Sequence, residues 1–246
     1  MRDPTIRMAR GVRLDLVHVS RWYGEGQARI AALRDVSLVI HPGDLMAVVG
    51  PSGCGKSTLL QLLGLLDRSS EGAMSVDGRE VGFLDDRALT RLRLETIGFV
   101  FQRFHLLMGQ TAIENVALPL EAAGWSVGER YARAAYLLDQ VGLAHRMLAT
   151  PSQLSGGQRQ RVAIARAIAN DARLILADEP TGNLDERATR SIFQLLRDIN
   201  AGGTAVIMAT HDLELVRHSG CRTVEINRGQ VVFDSAEPSG SAGRTP

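Results

Sequence analysis

One lysine stands among the 28 basic side chains of this 246-residue sequence; the other 27 are arginine. Aromatic residues make up only 4%, too few for a base-stacking surface. Neither sign of charge dominates: 28 basic groups face 27 acidic ones, for a formal net charge of +1. That excludes the broad basic field of a nucleic-acid binder, so no nucleic-acid partner is expected. The two cysteines, Cys54 and Cys221, are far apart and in no metal spacing, which fits a reducing compartment and excludes a disulfide framework. The longest nearly apolar stretch, Leu59 to Leu66, is broken by Gln61 and is far too short to span a bilayer. The opening residues MRDPTIRMARGVRL hold no apolar run, so no secretion signal is expected. What remains is 45% hydrophobic and 22% charged, the composition of a globular chain.

The lone lysine is Lys56. A chain that uses arginine for every other positive charge has a reason to refuse the guanidinium at one place. A compact ammonium fits where a backbone loop closes on an anion, and a planar fork does not.

Periodicity divides the chain into α/β ends around a helical middle. Val12, Leu14 and Leu16 alternate with polar residues, and Val36 to Ile40 repeats the apolar run, so both read as strands. Leu45 to Val49 and Leu174 to Ala177 are short continuous apolar runs, as is Thr204 to Ala209 after its threonine. They suit strands buried on both faces of a parallel sheet. Helices are expected over Ser57 to Leu66, Leu84 to Arg93, and from the cap Asp185 to Gly202-Gly203; residues 112–169 read as mostly helical. Asp77-Gly78 and Asn227-Arg228-Gly229 mark hairpins. From Ser235 the composition turns to Ser, Gly and Pro, which predicts a disordered tail over 234–246.

Three motifs carry chemistry. Residues 50–58, GPSGCGKST, match G-x-x-x-x-G-K-[ST] between an apolar strand and a helix. Gly50, Gly53 and Gly55 let successive N–H groups of the loop, including those of Ser52 and Cys54, turn inward on phosphates. The helix N-terminus adds partial positive charge, Lys56 reaches the β- and γ-phosphates, and Ser57, with Thr58 beside it, offers a hydroxyl to Mg²⁺. Cys54 reads as a small residue tolerated in this loop. Asp178-Glu179-Pro180 follows a buried strand. A carboxylate at the end of a parallel strand neighbouring the loop can hold Mg²⁺, the role read for Asp178, while Glu179 can orient or deprotonate the attacking water. Leu154, Ser155, Gly156, Gly157 and Gln158 form a flexible turn whose serine can cap a helix over Gln158 to Asn170, a second anion-binding helix start.

Together the three resemble the motif set of ATP-binding cassette (ABC) ATPases over about residues 12–233. Asp178 falls 122 residues after Lys56 and 23 after Ser155. The resemblance implies an α/β P-loop fold with a RecA-like core, an N-terminal antiparallel β subdomain and a helical subdomain inserted at about 103–169, with residues 1–11 as an extension. It implies ATP and Mg²⁺ as cofactors. Tyr23 looks like the aromatic that stacks on adenine, with Trp22 as the fallback. Gln102 looks like the glutamine that touches Mg²⁺ or the water, Asp185 belongs to the D-loop, and His211 looks like the switch histidine at the γ-phosphate. In such proteins the signature turn of one subunit closes on the phosphate loop of another, so the expected partners are a second copy and a separate membrane-spanning transporter subunit. The chain would then lie peripherally at the cytoplasmic face of the membrane. Residues 101–107, 111–120 and 177–185 look like the macrolide-exporter and lipoprotein-release group, with Leu106 to Met108 facing the membrane partner. Met108-Gly109 stands where that group usually has proline, and Gly220-Cys221-Arg222 replaces a usual Ala-Asp-Arg. Cell-division-type regulatory ATPases share the same motifs. Soluble ABC ATPases of repair or translation carry coiled-coil insertions or paired cassettes, which are not seen here.

Overall fold

The computed structural model describes residues 11–24, 26 and 29–236. Most of the expected N-terminal extension and the tail from 237 onward lie outside the described residues.

Strands β1 (Leu14–Tyr23) and β2 (Ile30–Ile40) come first, then β3 (Leu45–Val49), helix α1 (Lys56–Leu63), β4 (Glu71–Val76) and β5 (Arg79–Glu80). β1, β2, β4 and β5 form an antiparallel sheet in the order β2-β1-β4-β5. β1 keeps its alternation until a bulge at Val17-His18, where two residues in succession face outward. His18 takes a positive φ of 52°, and Val19 returns to the core fully buried. Gly72 lies across this bulge on β4, and a Cβ there would fall 2.3 Å from the His18 carbonyl oxygen. The close approach requires glycine.

The chain continues through α2 (Asp86–Thr96), β6 (Ile97–Phe101), α3 (Ala112–Ala122), α4 (Val127–Gln140), α5 (Gly156–Ala167), β7 (Leu174–Asp178), α6 (Glu186–Ala201), β8 (Ala205–Ala209), α7 (Leu213–Ser219), β9 (Arg222–Asn227) and β10 (Gln230–Asp234). The second sheet has the order β10-β9-β3-β8-β7-β6. All its neighbours run parallel except β10, which closes the edge antiparallel to β9.

The parallel strands are apolar throughout because both faces are covered. Leu174, Leu176, Ala205, Ile207, Met46 and Val48 face the antiparallel sheet and α1, in one core with Leu59, Leu60, Leu62 and Leu63. Ile175, Ala177, Val206 and Met208 face the other way, onto α3–α6, with Val116, Leu137, Val162 and Ile192. Helices α1 and α5 therefore pack on opposite faces of one sheet. A guanidinium closes the base of the helical layer: Arg133 is fully buried, bonds Asp171 at 2.6 Å and donates to the Ala169 carbonyl.

Several expectations change. α1 ends three residues early, because Gly64 terminates it and Leu65 turns to φ 55°. α5 begins two residues before Gln158 and stops at Ala167. β6 and α7 are additional elements. The expected tail does not begin at 234: Asp234 ends β10 as a buried residue bonded to Arg222, and the Ser235 N–H donates to the Thr223 carbonyl. Nor is the β7 carboxylate on the strand next to β3. β8 lies between them, pairing Ala209 with Val48 on one side and with Asp178 on the other.

Candidate functional site

The phosphate loop leaves β3 at Gly50 (φ 145°) and enters α1 at Gly55 (φ 114°). A Cβ on Gly50 would lie 2.2 Å from the Ile226 carbonyl oxygen, and one on Gly55 2.5 Å from that of Ala32. The loop is thus wedged between the ends of β9 and β2, where only glycine fits. The hairpin turn reinforces it: the Gly229 N–H donates to the Cys54 carbonyl at 2.9 Å, and the Arg34 N–H donates to that of Gly229 at 2.7 Å. Gly53 (φ 75°) faces open space, so an oxyanion can approach it. The sequence marks residues 227–229 as a hairpin turn; their brace on the loop is visible once β9 and β2 flank it. Cys54, which reads from the sequence as a small residue tolerated in the loop, is buried in the core.

Helix α1 starts with no side-chain cap. Its first N–H groups point from the loop without a side-chain acceptor, the arrangement that suits phosphate. Lys56 Nζ donates to the carbonyls of Gly50 (2.8 Å) and Pro51 (3.0 Å). That uses two of its three donors and leaves one N–H for an anion at the loop mouth. Ser57 and Asp178 line one small cavity of about 70 Å³ together with Gln61, Phe101 and Leu176. The Ser57 hydroxyl and the Asp178 carboxylate, in an otherwise mostly apolar lining, are hard oxygen donors of the kind that suits Mg²⁺ held partly through water. A larger cavity of about 340 Å³, lined by Val141, Ile168, Leu195 and Ile199, holds none of the motif residues.

Glu179 follows β7 with φ 47°. Its N–H donates to the Ala209 carbonyl at 2.9 Å, and its carbonyl accepts from Gly182 at 3.1 Å. Its carboxylate, 18% exposed, meets His211 Nδ1 at 2.9 Å, while His211 itself is 72% exposed. The second carboxylate oxygen remains available to accept from water. Gln102 lies at the end of β6, and its Nε2 would be 2.9 Å from a Cβ on Gly182; Asn183 donates to the Gln102 carbonyl at 3.1 Å. The β6 and β7 ends are therefore in contact through Gln102, Gly182 and Asn183.

At the start of α5 the structure forms a full capping box. The Ser155 hydroxyl accepts from the Gln158 N–H, and the Gln158 side chain accepts from the Ser155 N–H. Leu154 is buried and Ser155 exposed. A Cβ on Gly156 would approach Leu184 at 3.2 Å and one on Gly157 would approach Ala188 at 3.3 Å. Asp185 caps α6 by accepting from Ala188. The signature turn and the D-loop are thereby one packed surface. Tyr23, 38% exposed, donates from its hydroxyl to Asp67 at 2.8 Å, and the Arg21 guanidinium lies 4.6 Å from its ring centroid. Trp22, the fallback, is engaged by Arg29 at 4.5 Å.

The ABC transporter family profile matches residues 33–182. The chain is 47% identical over 225 residues to the macrolide export ATP-binding/permease protein MacB of Bordetella avium, covering 92% of this chain and 34% of that protein. It is 45% identical over 233 residues to MacB of Hyphomonas neptunium, covering 95% and 36%. The chain thus spans about a third of the length of these curated relatives. Among solved structures, a dimeric post-hydrolysis state of the ATP-binding cassette MJ0796 bound to ADP and Pi superposes with a TM-score of 0.82 at 41% identity, covering 90% of this chain and 97% of that one. Among the described residues no helix is long and apolar enough to cross a membrane. The phosphate loop, the Ser57–Asp178 cavity and the capped signature helix thus belong to a member of the ABC transporter family.

Proposed function

We propose that the chain is the ATP-driven part of a transporter of the macrolide-exporter or lipoprotein-release type, working as a pair at the cytoplasmic side of a membrane-spanning partner. The single observation that carries the paired site is the placement of α1 and α5 on opposite faces of one sheet. In this reading Ser155 serves the phosphate loop of a second copy rather than its own. A second copy supplies what each loop lacks.

In this reading the loop N–H groups, Lys56 and the α1 N-terminus hold the phosphates, and Tyr23 stacks on the adenine. Ser57, Asp178 and Gln102 would hold Mg²⁺, which would supply neutralisation of the charge on the phosphates. Ser155 and Gly157 of the second copy meet the γ-phosphate from the far side. Glu179 accepts the proton from water as the water oxygen bonds to the γ-phosphorus and the bridging bond to ADP breaks. His211 holds the Glu179 carboxylate in place through Nδ1 and turns its other nitrogen toward the γ-phosphate. Closure is favoured only while both halves touch the triphosphate, and hydrolysis removes that differential contact. The likeness to MacB, a macrolide export ATP-binding/permease protein, supports the export role and the membrane-spanning partner in this proposal. Leu107 and Met108, about half-exposed at the helical layer, are the surface offered to that partner.

Replacing Glu179 with Gln is the test. Turnover is expected to fall by about a thousandfold, while ATP binding persists and an ATP-bound dimer accumulates in light scattering. Wild-type turnover in Glu179→Gln would reject the base assignment.

A further inference from the structure

Helix α5 does more than present Ser155. Gln160 is fully buried, and its Nε2 donates to the Pro180 carbonyl at 2.6 Å. Its Oε1 has no hydrogen-bond partner among the described residues. The reverse amide orientation would set two acceptors against each other, so the donor is what this position holds. Pro180 directly follows Glu179, whose positive φ is fixed by bonds to Ala209 and Gly182.

Six residues further along, Arg166 donates to the carbonyls of Phe104 (2.8 Å) and His105 (2.6 Å). These two consecutive residues have φ of 59° and 46°. They complete the turn that begins at Phe101, with the Phe104 N–H donating to the Phe101 carbonyl and Gln102 in the turn's first central position. Arg159 lies 5.0 Å from the Phe104 ring centroid. Arg159 and Arg166 are seven residues apart, about two helical turns, and so share one stripe of α5.

We propose that Gln160 and Arg166 are positioning residues for hydrolysis. Gln160 fixes the turn that aims Glu179, and Arg166 fixes the turn that aims Gln102, so the helix whose tip meets the second copy's nucleotide also sets the water-side groups of its own site. This rests on the roles given above to Glu179 and Gln102. A shift of α5 on contact with a second copy reaches both turns through side chains that bond directly to their backbone.

Gln160→Met removes the donor at nearly constant volume, and Arg166→Lys keeps the charge but loses the two-pronged bond. Both are made in the full chain. Gln160→Met is expected to lower kcat about tenfold to a hundredfold, with ATP affinity within twofold and faster amide exchange over residues 179–182. Arg166→Lys is expected to raise the Mg²⁺ concentration for half-maximal turnover about tenfold, with faster exchange over 101–105. A purely structural role would instead lower the thermal midpoint and ATP binding together and leave kcat per folded molecule unchanged; that result overturns the proposal. A loss confined to one variant removes the other residue from it. If Gln160→Met does not fold, Arg166→Lys alone decides. Should Glu179→Gln be inactive while both variants hydrolyse and exchange like wild type, the positioning roles fail and the base assignment stands. Should Glu179→Gln stay active, the underlying reading fails instead.

Discussion

Two helix starts in this molecule carry the same charge and are built in opposite ways. α1 begins on Gly55 at φ 114° with no side-chain cap, and α5 begins on Ser155 with a complete capping box. The first is finished by its surroundings: Ile226, Ala32 and Gly229 shape the loop, and no side chain caps the helix end. The second is finished by its own sequence, Ser155 and Gln158 satisfying each other. An uncapped end has N–H groups to give an anion from within one chain. A capped end is stable alone and adds only what its exposed tip can reach on another molecule. The contrast gives a physical reason for the two half-sites to differ in what they need to form.

The comparison can be broken most severely at Gly50. Gly50→Ala puts a methyl group against the Ile226 carbonyl at a φ that L-residues avoid. Strain of about 3 kcal/mol corresponds to a roughly hundredfold loss of ATP affinity, measurable by nucleotide titration. Ser155→Arg attacks the other end. It removes the cap, at about 1 kcal/mol, and fills the exposed tip. ATP binding by the single chain is expected to stay within about twofold, because the α1 site is untouched, while ATP-dependent dimers disappear in light scattering. Equal loss of ATP binding in both variants would erase the distinction between the two ends.

The smallest effect concerns the hairpin behind the phosphate loop. Arg222 bonds both Asp44 and Asp234. Burial works to raise the Asp234 pKa, but the Arg222 guanidinium and the Ala236 N–H hold it below the ordinary carboxylate range. A depressed folded-state pKa stabilises above the unfolded value of about 3.9, and that contribution is lost as pH falls through the folded value. Asp234→Asn is therefore expected to lower the thermal midpoint by roughly 3 °C near neutral pH, and the gap should close below about pH 4. Loosening this brace should increase amide exchange in the phosphate loop and leave the α5 tip unchanged.

The elements most legible in the sequence are those with local punctuation. Ser155 and Asp185 announce helix starts by side chains that cap them in the structure. The loop glycines announce themselves because a positive φ is a property of single residues. β6 leaves no mark in the sequence because α2 runs directly into it at Thr96–Ile97 with no glycine or proline between them. Gly98 inside it is explained only by Ala167, whose carbonyl would lie 2.2 Å from an added Cβ. α7 spans only seven residues, too few for helical periodicity to register. Asp234 is the last residue of β10, just before a stretch of tail-like composition, and it is tied there by Arg222, twelve residues earlier.

By itself the sequence determined the local chemistry: which loop can turn its N–H groups inward, which serine begins a helix, and which carboxylates follow a buried strand. These depend on one residue's conformational freedom or on neighbours a few positions away. The tertiary structure alone decided that β8 separates β3 from β7, that the hairpin at Gly229 braces the phosphate loop, and that α1 and α5 occupy opposite faces of the sheet. Those facts join residues far apart in the chain, and the burial that selects them is non-directional and leaves no mark on spacing.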